Sequence, residues 1–369
     1  MKILVTGAKG FVGRNLCAEL KNRGFTDLYE YDLDTNPALL GEYAHDCEFV
    51  FHLAGVNRPE NPEDFMRGNF GFTSNLLEAL KQQHNQCPIV LSSSIQAERN
   101  NEYGNSKRAG ERLLAEYGEQ TGAKVLIYRF PNLFGKWSRP NYNGVIATFC
   151  HNISRGLPIQ INDPDAEICF AYIDDVMEEM LAALEGGEHR EGAYCTVPVT
   201  ETVKLGRVAA LLQSFYHSRE NLEVPDLRDA FTRKLYATYL SYLPEDQFSY
   251  SLKKNQDERG SFTEFLRSPD RGQVSVNVAK PGITKGQHWH HTKNEKFLVV
   301  SGEALIQFRK IGAQQVIEYH VSGDEMKVID IPTGYTHNII NVGDTDLITV
   351  MWASEPFNPD RPDTYYEKV

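Results

Sequence analysis

Three glycines, Gly7, Gly10 and Gly13, follow the apolar run KILVT at residues 2–6 and precede an amphipathic stretch at residues 15–23. A strand that passes through TGAKGFVG into a helix constrains the fold of this chain more than any other local pattern in it. Gly7 permits a tight turn, Gly10 lets the backbone approach a pyrophosphate, and Gly13 allows a helix to pack closely on a strand. The N-terminus of that helix would present N–H groups and a partial positive charge to phosphate.

The pattern continues in the same style. Apolar runs at 28–32, 49–53, 88–92 and 124–129 alternate with helical stretches at 69–83 and 106–117. Strands that alternate with helices predict an α/β doubly wound, Rossmann-type parallel sheet. From about 185 to 258 the chain is more helical and polar, with helices expected at 208–216 and 229–242 and no readable motif. Beyond residue 260, short β-rich pieces at 273–278, 296–300, 304–308 and 347–352 are separated by Gly, Pro and Asp turns, which predicts an antiparallel sandwich or barrel. A chain of 369 residues exceeds what one core organises, so two domains are expected, 1–250 and 251–369.

Composition excludes several functions. With a net charge of -12 and no basic run interleaved with aromatics, nucleic acid is not an expected partner. No stretch approaches the ~18 uninterrupted apolar residues of a membrane helix. MKILVTGA enters a strand without a basic leader, so the cytoplasm is the expected compartment. The six cysteines include no CxxC pair and are read as reduced thiols. An anionic small molecule remains open as a ligand, because a helix N-terminus binds anions within an acidic protein.

Tyr103 and Lys107, spaced i and i+4, share one helix face. A free phenol has a pKa near ~10, and a neighbouring ammonium is expected to lower it, which suits Tyr103 to general acid–base work. Together with the GxxGxxG spacing, Leu53-Ala54-Gly55, Asn69, the cluster Ser92 to Ser94, Arg129-Phe-Pro-Asn132-Leu-Phe-Gly135 and Tyr172-Ile-Asp174-Asp175-Val176, this motif resembles the extended short-chain dehydrogenase/reductase family over about residues 1–240. The resemblance implies that Gly7, Lys9, Gly10, Phe11, Val12, Gly13, Asp32, Leu53, Ala54, Gly55, Asn69, Tyr103 and Lys107 hold a nicotinamide dinucleotide. It gives Lys107 the nicotinamide ribose and a serine the reacting oxygen, Ser94 first and Ser93 as its rival. Asp32 would favour NAD through the adenosine ribose, whereas Lys9 stands where related enzymes carry a basic residue for a 2'-phosphate; NADPH is the expected cofactor.

Extended members of this family act mostly on nucleotide-diphosphate sugars. The segment Ser94-Ile-Gln-Ala-Glu-Arg lacks the Asp-Glu pair of dehydratases, so reduction of a keto group is expected. Ile168-Cys169-Phe170 replaces an arginine that often contacts the nucleotide, which leaves Asn132, Arg155 or Arg139 for that contact.

Toward the other end, Gly282, His288, His290, Glu295 and Gly302 resemble the first cupin motif, and Pro332-Thr-Gly334-Tyr-Thr-His337 with Asn341 most of the second. Eight residues separate Gly323 from Pro332 where the motif has five. The implied fold is an all-β cupin, or jelly roll. Two histidines two apart on a strand point to one side. With Glu295 and His337 they offer ligands for a divalent metal (Zn, Ni, Mn or Fe), zinc being expected first, or a metal-free acid–base pocket.

Arg259-Gly-Ser-Phe262-Thr-Glu264 resembles the entry strand of cupin-type epimerases of 4-keto deoxysugar nucleotides. Such an enzyme needs a base, an acid and stabilisation of an enolate oxygen; a metal could polarise the C4 carbonyl, and Tyr335, Lys285 and His291 are the candidate proton carriers. As a whole the chain resembles the bifunctional capsular polysaccharide synthesis enzymes of the CapF type. That resemblance implies a homodimer acting on a UDP-linked 4-keto-6-deoxy amino sugar, UDP-2-acetamido-2,6-dideoxy-4-hexulose. C3 epimerisation in the cupin and NADPH-dependent C4 reduction at Tyr103 would give UDP-2-acetamido-2,6-dideoxy-L-talose, on the route to UDP-N-acetyl-L-fucosamine. Two alternatives stand beside it: a nucleotide-sugar epimerase that recycles tightly bound NAD, and a reductase whose cupin serves only dimerisation or sensing.

Overall fold

The computed structural model describes residues 1–369 and divides into two compact units: Met1–Gln213 with Asp229–Pro244, and Ser214–Arg228 with Glu245–Val369. The division is not a single cut at 250/251, because residues 214–228 and 245–250 group with the second unit. No helix is long and apolar enough to cross a membrane.

In the first unit a seven-stranded sheet runs in the order Leu28–Tyr31, Ile3–Thr6, Phe49–His52, Ile89–Ser94, Val125–Phe130, Tyr194–Cys195, Arg190–Glu191. All neighbours are parallel except the last pair. Ile3–Thr6 and Phe49–His52 are buried throughout, as expected where helices cover both faces of a sheet. Strand alternation then sorts the side chains. Ile3, Val5, Phe49, Phe51, Val90 and Leu126 enter one core with the helices Phe11–Asn22 and Ile173–Leu184. Leu4, Val50, Ile89, Leu91 and Ile127 enter the other, against Leu39–Asp46, Phe72–Gln82 and Glu102–Thr121. This is the expected doubly wound arrangement. The helix expected at 69–83 begins as a π-helical turn, Met66–Gly71, that continues into Phe72–Gln82. Helix Glu102–Thr121 has Asn101 as its cap, whose side chain accepts from the Gly104 N–H at 2.7 Å, and ends at Gly122 with φ +79°.

The second unit holds two antiparallel sheets. One, of six strands, runs Asn255–Asp257, Gly260–Ser268, Gly272–Ala279, Leu347–Ala353, Glu295–Ser301, Val328–Ile331; the other, of five, runs Val316–Ser322, Glu303–Lys310, Tyr335–Asn341, Thr284–Trp289, Tyr365–Tyr366. Phe297 and Val299 from the first sheet meet Ala304, Ile306, Phe308 and Ile339 from the second in one core. The alternation along each strand therefore closes the expected all-β sandwich.

Candidate active sites

Where strand Ile3–Thr6 ends, the glycine turn is held by sterics. Gly7 has φ +70°, and a Cβ on it would lie 2.7 Å from the Ala54 nitrogen; a Cβ on Gly13 would lie 2.1 Å from the Gly7 carbonyl oxygen. Gly10 caps helix Phe11–Asn22 in extended conformation, with no side-chain cap and no acidic residue in the first turn. The N–H groups there lack a side-chain acceptor, which fits an anionic dinucleotide. Gly7, Lys9, Gly10, Phe11, Val12, Gly13, Asp32, Leu53, Ala54, Gly55, Ser94, Tyr103 and Lys107 all line one cleft of ≈ 1260 Å³. Asn132 and Arg139 line it too. Arg155 does not; its guanidinium donates to the carbonyls of His151 and Tyr242.

Asn69 is buried and does not line the cleft. Its carbonyl oxygen accepts from the Val56 N–H at 2.8 Å, and its amide donates to the Val56 carbonyl at 3.0 Å and to Ser106 Oγ at 2.9 Å. Asn69 thus ties the 53–56 loop to the helix that carries Tyr103 and Lys107. Just past strand Leu28–Tyr31, the Asp32 carboxylate accepts from the N–H groups of Lys9 at 2.7 Å and Leu33 at 2.8 Å, while the Lys9 ammonium pairs with Asp34.

Tyr103 departs from expectation in its electrostatics. Burial pushes its phenol up to about 12, with a hydrogen bond from Ser94 working in the opposite direction. Burial also pushes Lys107 down to about 8, and its ammonium donates to the Ser92 carbonyl at 3.1 Å, 5.9 Å from the Tyr103 ring. Desolvation outweighs the expected help from the lysine. Both rival serines line the cleft; Ser94 acts to lower the Tyr103 phenol, whereas Ser93 donates to the buried Glu111 carboxylate at 2.5 Å. Glu111 is held in turn by Arg129 at 2.7 and 3.0 Å. No motif signalled Glu111, nor the buried His52 between Thr6 Oγ1 at 2.7 Å and Thr73 Oγ1 at 2.8 Å.

In the second unit, His288 and His337 face each other across paired strands, and a bulge at Gln287 (φ +64°) re-aims His288. His290 lies one residue past strand Thr284–Trp289, and Glu295 begins the next strand. One ligand atom from each of His288, His290, Glu295 and His337 lies within 4.8 Å of all the others. His290 Nε2 and His337 Nε2 stand 3.6 and 3.4 Å from Glu295 Oε2, and all three of these buried atoms lack a hydrogen-bond partner. Buried polar atoms are rarely left so, and three imidazoles with one carboxylate match the donor set of a tetrahedral metal site. Burial, with His337 beside it, lowers His288 to about 4, leaving it a neutral donor. For Glu295 burial acts to raise the pKa, but the neighbouring imidazoles of His290 and His337 prevail and hold it well below the carboxylate range.

The cavity of ≈ 690 Å³ at this cluster is lined by His288, His290 and Glu295 together with Lys253, Phe262, Glu264, Arg267, Lys293 and Thr364. None of the expected proton carriers is among them. Lys285 is drawn away by Asn277 Oδ1 at 2.7 Å and the Val278 carbonyl at 2.8 Å, and burial lowers its pKa. Tyr335 packs on the apolar core, and exposed His291 lies edge-on to Trp289 and Tyr365.

Residues 3–194 match the model of the NAD dependent epimerase/dehydratase family, and residues 255–365 match the polysaccharide biosynthesis C-terminal domain. Over 99% of this chain and 98% of the relative, the sequence is 46% identical to a UDP-2-acetamido-2,6-beta-L-arabino-hexul-4-ose reductase from Pseudomonas aeruginosa. The crystal structure of the capsular polysaccharide assembling protein CapF from Staphylococcus aureus superposes with a TM-score of 0.95 at 52% identity, covering 100% of both chains. RMD from Pseudomonas aeruginosa, complexed with NADPH, matches with a TM-score of 0.51 at 25% identity, covering 59% of this chain and 83% of that one. Similar along its whole length to such proteins, the chain belongs to the NAD dependent epimerase/dehydratase family and, within it, to the CapF type of bifunctional capsular polysaccharide synthesis enzymes.

Proposed function

We propose that this chain is a bifunctional nucleotide-sugar enzyme of capsule synthesis, with reductase chemistry in residues 1–250 and ketosugar epimerisation in residues 251–369. Its substrate in this reading is UDP-2-acetamido-2,6-dideoxy-4-hexulose; the cupin inverts C3, and the first domain reduces the C4 ketone to give UDP-2-acetamido-2,6-dideoxy-L-talose, on the route to UDP-N-acetyl-L-fucosamine. That Ser94, Tyr103 and Lys107 line one cleft together with the glycine turn is the observation that carries it. The name of the Pseudomonas aeruginosa relative, a 4-ulose reductase, supports the reduction step.

NADPH, when bound, supplies the hydride. Gly7, Gly10, Phe11, Val12 and Gly13 would cradle its pyrophosphate, Lys9 and Asp32 its adenosine ribose, and Lys107 its nicotinamide ribose. The NADPH complex of RMD supports this choice over recycled NAD. Tyr103 donates the proton to the C4 oxygen as it becomes an alkoxide, and Ser94 orients that oxygen. A phenol raised by burial stays protonated at neutral pH, as a proton donor must.

A divalent metal, zinc first, would be held by His288, His290, Glu295 and His337 and would polarise the C4 carbonyl so that the C3 proton becomes acidic. Lys253, Glu264, Lys293, Glu220 and Glu355 line that cavity as further ionisable groups, while Arg267 pairs with Glu264 at 2.7 Å. The chain acts as a cytoplasmic homodimer in this reading, which sedimentation measures directly.

A time course of the 4-ketosugar in deuterated water, with and without NADPH, tests both steps by NMR. Without NADPH, deuterium should enter C3 and no C4 alcohol should form; with NADPH, the talo product should accumulate with stoichiometric cofactor oxidation. Tyr103→Phe should stop oxidation and leave exchange intact. Product formation without net NADPH consumption would instead establish a recycling epimerase.

A further inference from the structure

Asp363 lies outside every motif, yet it gathers the turn that follows the second histidine. One oxygen of its carboxylate accepts from the His291 N–H at 2.9 Å; the other accepts from the N–H groups of Thr292 at 2.9 Å and Lys293 at 2.8 Å and from the Thr292 hydroxyl at 3.1 Å. On either side, the Lys293 ammonium donates to the Pro362 carbonyl at 2.8 Å and to Thr364 Oγ1 at 2.9 Å. This mesh holds Asp363 at φ +40°, a left-handed conformation that costs a residue with a side chain on the order of 1–3 kcal/mol.

The consequence falls on His290. Its Nδ1 stands 2.5 Å from the Asp363 backbone carbonyl. A carbonyl oxygen can only accept, so Nδ1 carries the hydrogen and Nε2 the lone pair. Nε2 is the atom that lies 3.6 Å from Glu295 Oε2 without a hydrogen-bond partner. His290 is 1% exposed and lies past the end of its strand, so the ladder does not fix its ring.

We infer that Asp363 is the positioning residue of the metal centre: its carboxylate locks the 291–293 turn, and its backbone carbonyl fixes His290 in the tautomer that presents Nε2 to Glu295. The inference rests on the metal reading of the four-residue cluster. Outer partners of this kind set the orientation and basicity of a ligating imidazole, and their loss typically weakens metal binding about 10–100-fold.

Zinc affinity by chelator competition, measured on the full chain as wild type, Asp363→Ala, Asp363→Asn and His290→Ala, tests it alongside ¹⁵N-histidine NMR of the metal-free proteins. Asp363→Ala should bind zinc about 10–100-fold more weakly, and its His290 signals should shift from the Nδ1–H tautomer to a mixture. Asp363→Asn, which keeps one accepting oxygen, should fall between. Wild-type affinity together with an unchanged His290 tautomer in Asp363→Ala overturns the assignment; should that variant fail to fold, the same result in Asp363→Asn overturns it. A wild-type protein that takes up no zinc refutes the metal reading alone, and the tautomer comparison then decides the role of Asp363.

Discussion

Ser93 donates its hydroxyl to the buried Glu111 carboxylate at 2.5 Å, while Ser94, one residue on, turns to the opposite face of the strand in the cleft that Tyr103 also lines. Strand alternation thus separates two chemically identical side chains into a structural role and a candidate catalytic one.

Removing each hydroxyl should therefore fail in different ways. Ser94→Ala is expected to lower kcat for ketone reduction about 10²–10³-fold, the scale of a lost transition-state donor, with little change in Tm. Ser93→Ala should leave kcat near wild type and cost about 1–3 kcal/mol of stability, because Glu111 loses a buried donor. Steady-state kinetics and thermal melts on the pair read both; a loss of kcat confined to Ser93→Ala would reverse the assignment.

The glycine turn makes a prediction with a built-in control. Gly13→Ala places a Cβ 2.1 Å from the Gly7 carbonyl, so the helix must move off the strand that aims its N-terminus at the cleft. Gly24→Ala, just past the other end of the same helix, meets nothing within 4 Å and only strains a φ of +87°. Overpacking of this kind typically costs about 1–3 kcal/mol or more; Gly13→Ala should also abolish cofactor binding. Gly24→Ala should cost about 1–2 kcal/mol and leave binding unchanged. Isothermal titration with NADPH and urea unfolding distinguish the two.

Much of this was legible in the chain itself. TGAKGFVG, with a strand before it and a helix after it, led directly to the cradle, because three glycines at that spacing answer to backbone sterics that are local in sequence. The clustering of His288, His290, Glu295 and His337 was legible for a similar reason, as two short motifs that the second unit brings together. What sequence reasoning missed depends on contacts remote in the chain. The bonds of Asn69 to Val56 and Ser106 join the 53–56 loop to the helix of Tyr103, a link between segments remote in the chain. Lys285 lies three residues from His288, but its ammonium donates to Asn277 Oδ1 and the Val278 carbonyl. Asp363 acts on His290 from more than seventy residues away, at 2.5 Å through its backbone carbonyl, which no side-chain pattern encodes. The phenol of Tyr103 was misjudged because i,i+4 spacing does not reveal how deeply both partners are buried.

At the second site, His290→Ala should remove an imidazole whose Nε2 lies among the orphaned ligand atoms. Metal content by atomic absorption should fall below half of the wild-type value, and deuterium exchange at C3 should be lost with it. Reduction at Tyr103 of a substrate already inverted at C3 should continue. A variant with full metal content would exclude His290 from the ligand set.

Lys107 supplies a prediction in which stability and affinity move in opposite directions with pH. Burial lowers its ammonium from 10.5 to about 8, so between those values the folded protein binds fewer protons than the unfolded chain. Stability should therefore rise as pH climbs through that window, and below it, where both states are charged, the full desolvation penalty persists. The difference in unfolding free energy between wild type and Lys107→Met isolates this group from other titrations. That difference should shift in favour of wild type by on the order of 2–3 kcal/mol from pH 7 to pH 10.5. NADPH binding should run the other way. As the ammonium loses its proton above about 8 it gives up a charge and a donor for the ribose, so KM for NADPH should climb in wild type and stay flat, at a higher level, in Lys107→Met. A stability difference that does not change with pH would mean that Lys107 titrates as an exposed lysine does, and would remove the buried ammonium from the cofactor cleft.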